Sequence, residues 1–219
     1  MFKRLITLGC SQTYGHGLVD ISFPDSSGTI DYSKGPSKLA WPALLGKQLG
    51  ISEVVNLAMP ASSNKRIAHV ITSVNNLTAN DIIIFCWTYP LRTAIIKDNG
   101  YDYLHAHKSK HSKTYKLAQQ WIKLRAMVDP KSYDLWHENL VWASFANRYL
   151  ETKASAVYNY SMMGGFPKDL LELYNVPVIE DLNYIIRNHD LALDNSHPGP
   201  SAHIEFADKM YKHIRRNND

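Results

Sequence analysis

Two short segments near opposite ends of this 219-residue chain hold side chains able to do covalent chemistry. The first is Gly9-Cys10-Ser11-Gln12-Thr13-Tyr14-Gly15, which follows the apolar run Leu5-Ile6-Thr7-Leu8. A serine among small residues at a strand-to-helix turn offers its hydroxyl at the rim of a sheet, beside backbone N–H groups that a helix start leaves unpaired. The segment has neither the Gly-Lys-Ser/Thr of a P-loop nor a G-x-G-x-x-G spacing, so phosphate-binding readings fail. The second segment is Asp194-Asn195-Ser196-His197-Pro198. Aspartate and histidine three apart can share one side of a turn. The carboxylate then accepts from the imidazole Nδ1–H and leaves Nε2 to take a proton from a serine. Each segment alone also has an ordinary structural reading: Ser11 as a helix N-cap, and Asp194 in an Asx-turn with His197 exposed.

Something must bring the two ends together, and the pattern of elements supplies it. Strands are expected over 5–9, 53–57, 81–87 and 156–162. Helices are expected over 41–49, 64–77, 115–128, 133–151, 167–174 and 204–214. Asp81-Ile82-Ile83-Ile84-Phe85-Cys86-Trp87 is the most strand-like run, and its unbroken hydrophobicity suits a central parallel strand covered on both faces. Strands alternating with helices predict an α/β fold: a three-layer α/β/α sandwich around a parallel sheet of about five strands. Ligands of such sheets bind beyond the carboxyl ends of the strands, where Ser11 falls.

Taken together, the two blocks resemble the SGNH, or GDSL-like, hydrolases, whose fold is of this flavodoxin-like class. The resemblance assigns the nucleophile to Ser11 and the rest of a catalytic triad to Asp194 and His197. Cys10 stands where the family's first block has aspartate, a position outside the triad. Asn56-Leu57-Ala58-Met59-Pro60-Ala61-Ser62-Ser63-Asn64 resembles the second block, with Ala61 at the position of a glycine whose N–H joins that of Ser11 in the oxyanion hole. The third block normally supplies an asparagine; here Trp87-Thr88-Tyr89-Pro90-Leu91-Arg92 follows the strand, so Thr88 or Asn64 is the candidate third donor. The pattern looks most like the divergent SGNH-like proteins of phages and marine microbes, and it covers roughly residues 1–91 and 176–214. It implies an esterase cleaving a carboxylic ester, an acetyl or other short acyl group on a carbohydrate or small molecule, without metal or organic cofactor. An acyltransferase with the same triad and a non-catalytic carbohydrate-binding or phage structural module are the alternatives.

Composition bounds the rest. One domain over 1–219 is expected, with a loop insertion near 20–38 and a helical, polar insertion near 97–153. No apolar run is long enough to cross a bilayer. The Leu5–Leu8 stretch behind Lys3 and Arg4 is too short for a signal peptide, which points to a cytoplasmic protein, or a virion-associated one if phage-encoded. Cys10 and Cys86 read as free core residues. A formal charge of +4 gives no reason to expect a nucleic-acid partner. His105, His107 and His111 lack nearby acidic or thiol partners and read as a solvated loop. Trp121, Trp136 and Trp142 read as core, and Arg92 as either a binder of a substrate carboxylate or a structural partner.

Overall fold

The computed structural model describes residues 2–21, 32–97, 100–104, 115–129, 133–154, 156–162, 164–177 and 179–217. The chain runs β1 (Arg4–Leu8), α1 (Ser11–Tyr14), α2 (Trp41–Leu49), β2 (Glu53–Asn56), α3 (Asn64–Ile71) and β3 (Asp81–Trp87). There follow β4 (Thr93–Lys97), β5 (Gly100–Leu104), α4 (Tyr115–Val128) and α5 (Tyr133–Leu150). It closes with β6 (Ala156–Ser161), α6 (Lys168–Leu173), β7 (Glu180–Asp181), α7 (Asn183–Arg187) and α8 (Pro200–Arg216). His105, His107 and His111 lie outside the described residues.

Five strands form one parallel sheet in the order β2-β1-β3-β6-β7, and β4 and β5 pair separately as an antiparallel hairpin. Side chains alternate across the sheet with period two. Ile6, Leu8, Ile83, Phe85 and Trp87 face a core built with α3, α5 and α6, while Leu5, Ile82, Ile84 and Cys86 face one built with α2 and α8. Each such fully buried aliphatic removes apolar surface worth about 1.5–3 kcal/mol from water, and β3, buried along its whole length, is the spine of both layers. The expected α/β/α sandwich is the observed architecture.

Two helix ends and one hairpin differ from expectation. α3 stops at Ile71, six residues early, where Thr72 closes the helix and Asn76 soon after turns left-handed at φ 60°. α8 starts at Pro200, four residues early, because proline suits a first turn. The β4–β5 hairpin occupies part of a stretch that reads as polar loop.

In this strand order the direction of winding reverses beside β1, and the crevice opens between the carboxyl ends of β1 and β3. α1 begins three residues after β1 ends, at that crevice.

Candidate active site

Ser11 is the first residue of α1, with Cys10 in extended conformation at the N-cap, so the hydroxyl is not spent on capping. Gly9 makes the tight approach possible: a Cβ there would lie 2.2 Å from Thr13 Oγ1 and 2.6 Å from Thr13 Cβ. Any side chain at position 9 would therefore push α1 off the strand end.

Asp194 and His197 sit on a small hairpin ahead of α8. Leu191 bridges Pro198, the Ala192 N–H donates to His197 O at 2.8 Å, and the Gly199 N–H donates to Asp190 O at 2.8 Å. Asn195 takes the left-handed conformation at its tip, φ 53°, which asparagine tolerates. Asp194 Oδ1 accepts from the N–H groups of Ser196 and His197, the Asx-turn of the structural reading. Its other oxygen, Oδ2, lies 2.5 Å from His197 Nδ1, and His197 Nε2 lies 2.9 Å from Ser11 Oγ. The turn and the charge-orienting contact thus coexist on one carboxylate.

The hairpin docks on the turn after α1. The Leu193 N–H donates to Gly17 O at 3.1 Å. Gly17 has φ 87°, and a Cβ there would fall 2.9 Å from Asp194 Cγ, so this position requires glycine twice over.

Burial alone would raise the Asp194 carboxyl; the N–H and ring of His197 and the N–H of Ser196 outweigh it and hold it below its ordinary range. His16, one residue before Gly17, packs edge-on against His197 at 4.8 Å between centroids. Burial first, then the charge of His197, depresses His16 below the usual imidazole value, with Asp194 opposing. Sequence spacing gives no hint of His16, because its placement depends on the glycine turn around it.

The loop after β2 passes close to the same strand end. The Met59 N–H reaches Gly9 O at 3.3 Å, and Asn56 Nδ2 donates to Thr13 O at 2.8 Å, tying the loop to α1. Ala61 has φ 66°, in the left-handed region that favours glycine, the residue the resemblance expects there. Among the described residues nothing accepts from the N–H of Ser11 or of Ala61.

The two candidate third donors differ. Asn64, fully buried, donates Nδ2 to Thr88 O at 2.9 Å and to Asn139 Oδ1 at 2.6 Å, and accepts from the Thr88 N–H at 2.7 Å. Both amide hydrogens are committed, so Asn64 clamps the loop after β3 rather than offering a free donor. Asn139, from α5, completes the clamp by donating to Leu135 O and Pro90 O, a role that sequence reading missed. Thr88 Oγ1 accepts from Arg92 Nη1 at 2.9 Å, which leaves its own hydrogen to give. Arg92 also lies over the Tyr89 ring, 5.1 Å from its centroid, and pairs with no carboxylate among the described residues. Trp136 and Trp142 pack at the margin of the α5 core, and Trp121 lies under Arg125 on α4.

Comparison with solved structures places this architecture. A carbohydrate esterase described as having divergent catalytic and non-catalytic binding functions superposes with a TM-score of 0.57 at 11% identity, over 97% of this chain and 68% of that one. The psychrotrophic esterase EstA from Pseudoalteromonas sp. superposes with a TM-score of 0.51 at 11% identity, over 99% and 100% of the two chains. The chain has the SGNH-hydrolase fold. No protein-family model matches the sequence, and no curated protein matches it. In this chain the β1–α1 turn leaves the carboxyl end of β1, and the hairpin before α8 meets it through His197 Nε2 and Ser11 Oγ. No helix among the described residues is long and apolar enough to cross a membrane.

Proposed function

We propose that the protein is a serine esterase in which Ser11, His197 and Asp194 are the catalytic triad. The observation that carries this is the hydrogen-bonded line from Asp194 Oδ2 through both ring nitrogens of His197 to Ser11 Oγ, at 2.5 and 2.9 Å. A neutral imidazole fixed by a carboxylate and aimed at a serine is what general-base activation requires.

In this reading Ser11 Oγ attacks the ester carbonyl carbon as His197 Nε2 takes its proton. Asp194, ionised, holds the tautomer and balances the imidazolium. The N–H groups of Ser11 and Ala61, with Thr88 Oγ1–H, receive the oxyanion. His197 returns the proton to the leaving alcohol, giving an acyl-Ser11 ester. The same base then activates water, which releases the carboxylic acid and restores Ser11. The chemistry needs no cofactor, so EDTA should leave turnover undiminished.

The proposed substrate is a short acyl ester, such as acetyl, on a carbohydrate or small alcohol. The two structural neighbours, a carbohydrate esterase and an esterase, support the choice of an ester as substrate. Turnover of p-nitrophenyl acetate and of acetylated sugars, in wild type and Ser11→Ala, tests the reading. Ester cleavage that survives in a folded Ser11→Ala protein overturns it.

A further inference from the structure

His16 lies against the carboxylate end of this line and takes no part in it. Its Nε2 is 4.0 Å from Asp194 Oδ2, too long for a hydrogen bond. Only 16% of its side chain is exposed, its Nδ1 is fully covered, and among the described residues no hydrogen bond reaches either nitrogen. The nitrogen that faces Asp194 is Nε2, so it is the one placed to ligate, and the ring proton then stays on the covered Nδ1. One ligand atom each from His16, Asp194 and His197 lie within 4.8 Å of one another. Two imidazoles and a carboxylate suit Zn2+ or Cu2+ and suit Mg2+ or Ca2+ poorly. Tetrahedral zinc, with bonds of about 2.0–2.1 Å, needs ligand atoms roughly 3.4 Å apart. The 2.5 Å contact between His197 Nδ1 and Asp194 Oδ2 must open and the 4.0 Å gap to His16 must close, each by less than about 1 Å, while the widest separation in the set, at most 4.8 Å, must close by up to about 1.4 Å.

We propose that His16, His197 and Asp194 bind a divalent transition metal ion of the zinc class, and that the bound ion silences Ser11. The metal takes the Nδ1 lone pair of His197, and the proton that Nδ1 carried moves to Nε2, so the ring stays neutral and no proton is lost. Nε2–H then faces Ser11 Oγ as a donor and has no lone pair to accept the serine proton. The silencing rests on the esterase reading above; the binding does not.

The test is calorimetric titration of Zn2+ into the metal-stripped full chain carrying Ser11→Ala, which leaves all three ligands in place. One ion should bind per chain, Mg2+ should give no binding heat, and adding His16→Phe should weaken Zn2+ at least about 100-fold. His16→Asn, which shrinks the side chain where phenylalanine enlarges it, should show the same loss and guards against misfolding of the first variant. In wild type, Zn2+ should inhibit ester turnover reversibly with EDTA. Zinc affinity unchanged by either His16 substitution, or no binding at all, overturns the site. Binding through His16 in a chain that cleaves no ester upholds the site and counts against the esterase reading instead.

Discussion

His197 Nε2 lies 2.9 Å from Ser11 Oγ, although 186 residues separate them in the chain. Two local devices hold that contact. α1 can sit on the end of β1 because residue 9 has no side chain, and the hairpin of Asp194 and His197 can seat on Gly17 for the same reason. The chemistry proposed here therefore depends on backbone approach as much as on the three reactive side chains.

Asp194→Asn should preserve both Asx-turn bonds, since Asn Oδ1 can still accept from Ser196 and His197. Its amide would face His197 Nδ1 as a donor and force the ring proton onto Nε2. A fall in kcat of about 10⁴-fold is expected with the fold intact, read by steady-state kinetics alongside circular dichroism. A loss under tenfold would remove Asp194 from the proposed triad.

Thr88→Val keeps the shape of the side chain and removes one donor. If Thr88 completes the oxyanion hole, kcat should drop about 10²-fold or more with KM little changed. Asn64→Ala should act differently. It strips the Thr88 N–H and O and Asn139 Oδ1 of buried partners, at about 1–3 kcal/mol for each group left unsatisfied, and should appear first as a lower Tm. Normal kcat in folded Thr88→Val protein would leave a hole of two backbone donors.

Ala61→Gly should preserve activity and leave stability level or up to about 1 kcal/mol higher, because relief of left-handed strain competes with added freedom in the unfolded chain. Ala61→Val should lower both Tm and kcat, since a β-branched residue resists φ 66°. Equal Tm values for the two variants would contradict the strained assignment.

Acid should weaken the fold at a site away from the reaction. The Trp41 N–H, in the first turn of α2, donates to His203 Nδ1 of α8 at 3.2 Å, in place of a side chain at the N-cap. Burial, chiefly, with His197 adding to it and Asp190 opposing, pushes His203 down to about 4 from 6.5. The folded state thus binds this proton less readily than the unfolded chain. Its contribution is intact above pH 6.5 and falls toward pH 4, by up to about 3 kcal/mol, and levels below that. Asp194, lowered from 3.8, adds a second loss only as the pH drops below that value. Urea midpoints between pH 7 and 4.5 should decline in wild type and decline less steeply in His203→Gln, where the depressed His16 still contributes a loss; parallel declines would contradict the role given to His203.

The features legible in sequence are those with a period or a fixed spacing. Asp81–Trp87 announces a buried central strand, and Asp194 with His197 announces a turn that can orient an imidazole. Ser11 is legible through the glycine and apolar run before it. The β4–β5 hairpin is not, because Lys97 and the polar residues that follow break the apolar alternation by which a strand is read. The end of α3 is hidden because Val74 and Leu77 continue the helical pattern past the real stop. Asn139 and His16 escape for a common reason: each matters through contacts distant in sequence, which no local pattern encodes.

The central claim is that His197 activates Ser11, and labelling with a fluorophosphonate followed by mass spectrometry of the modified peptide tests it most directly. A single adduct on Ser11 is expected, absent in Ser11→Ala and formed at least about 10³-fold more slowly in His197→Ala. An adduct on another residue, or labelling of Ser11 at an undiminished rate without His197, would contradict it.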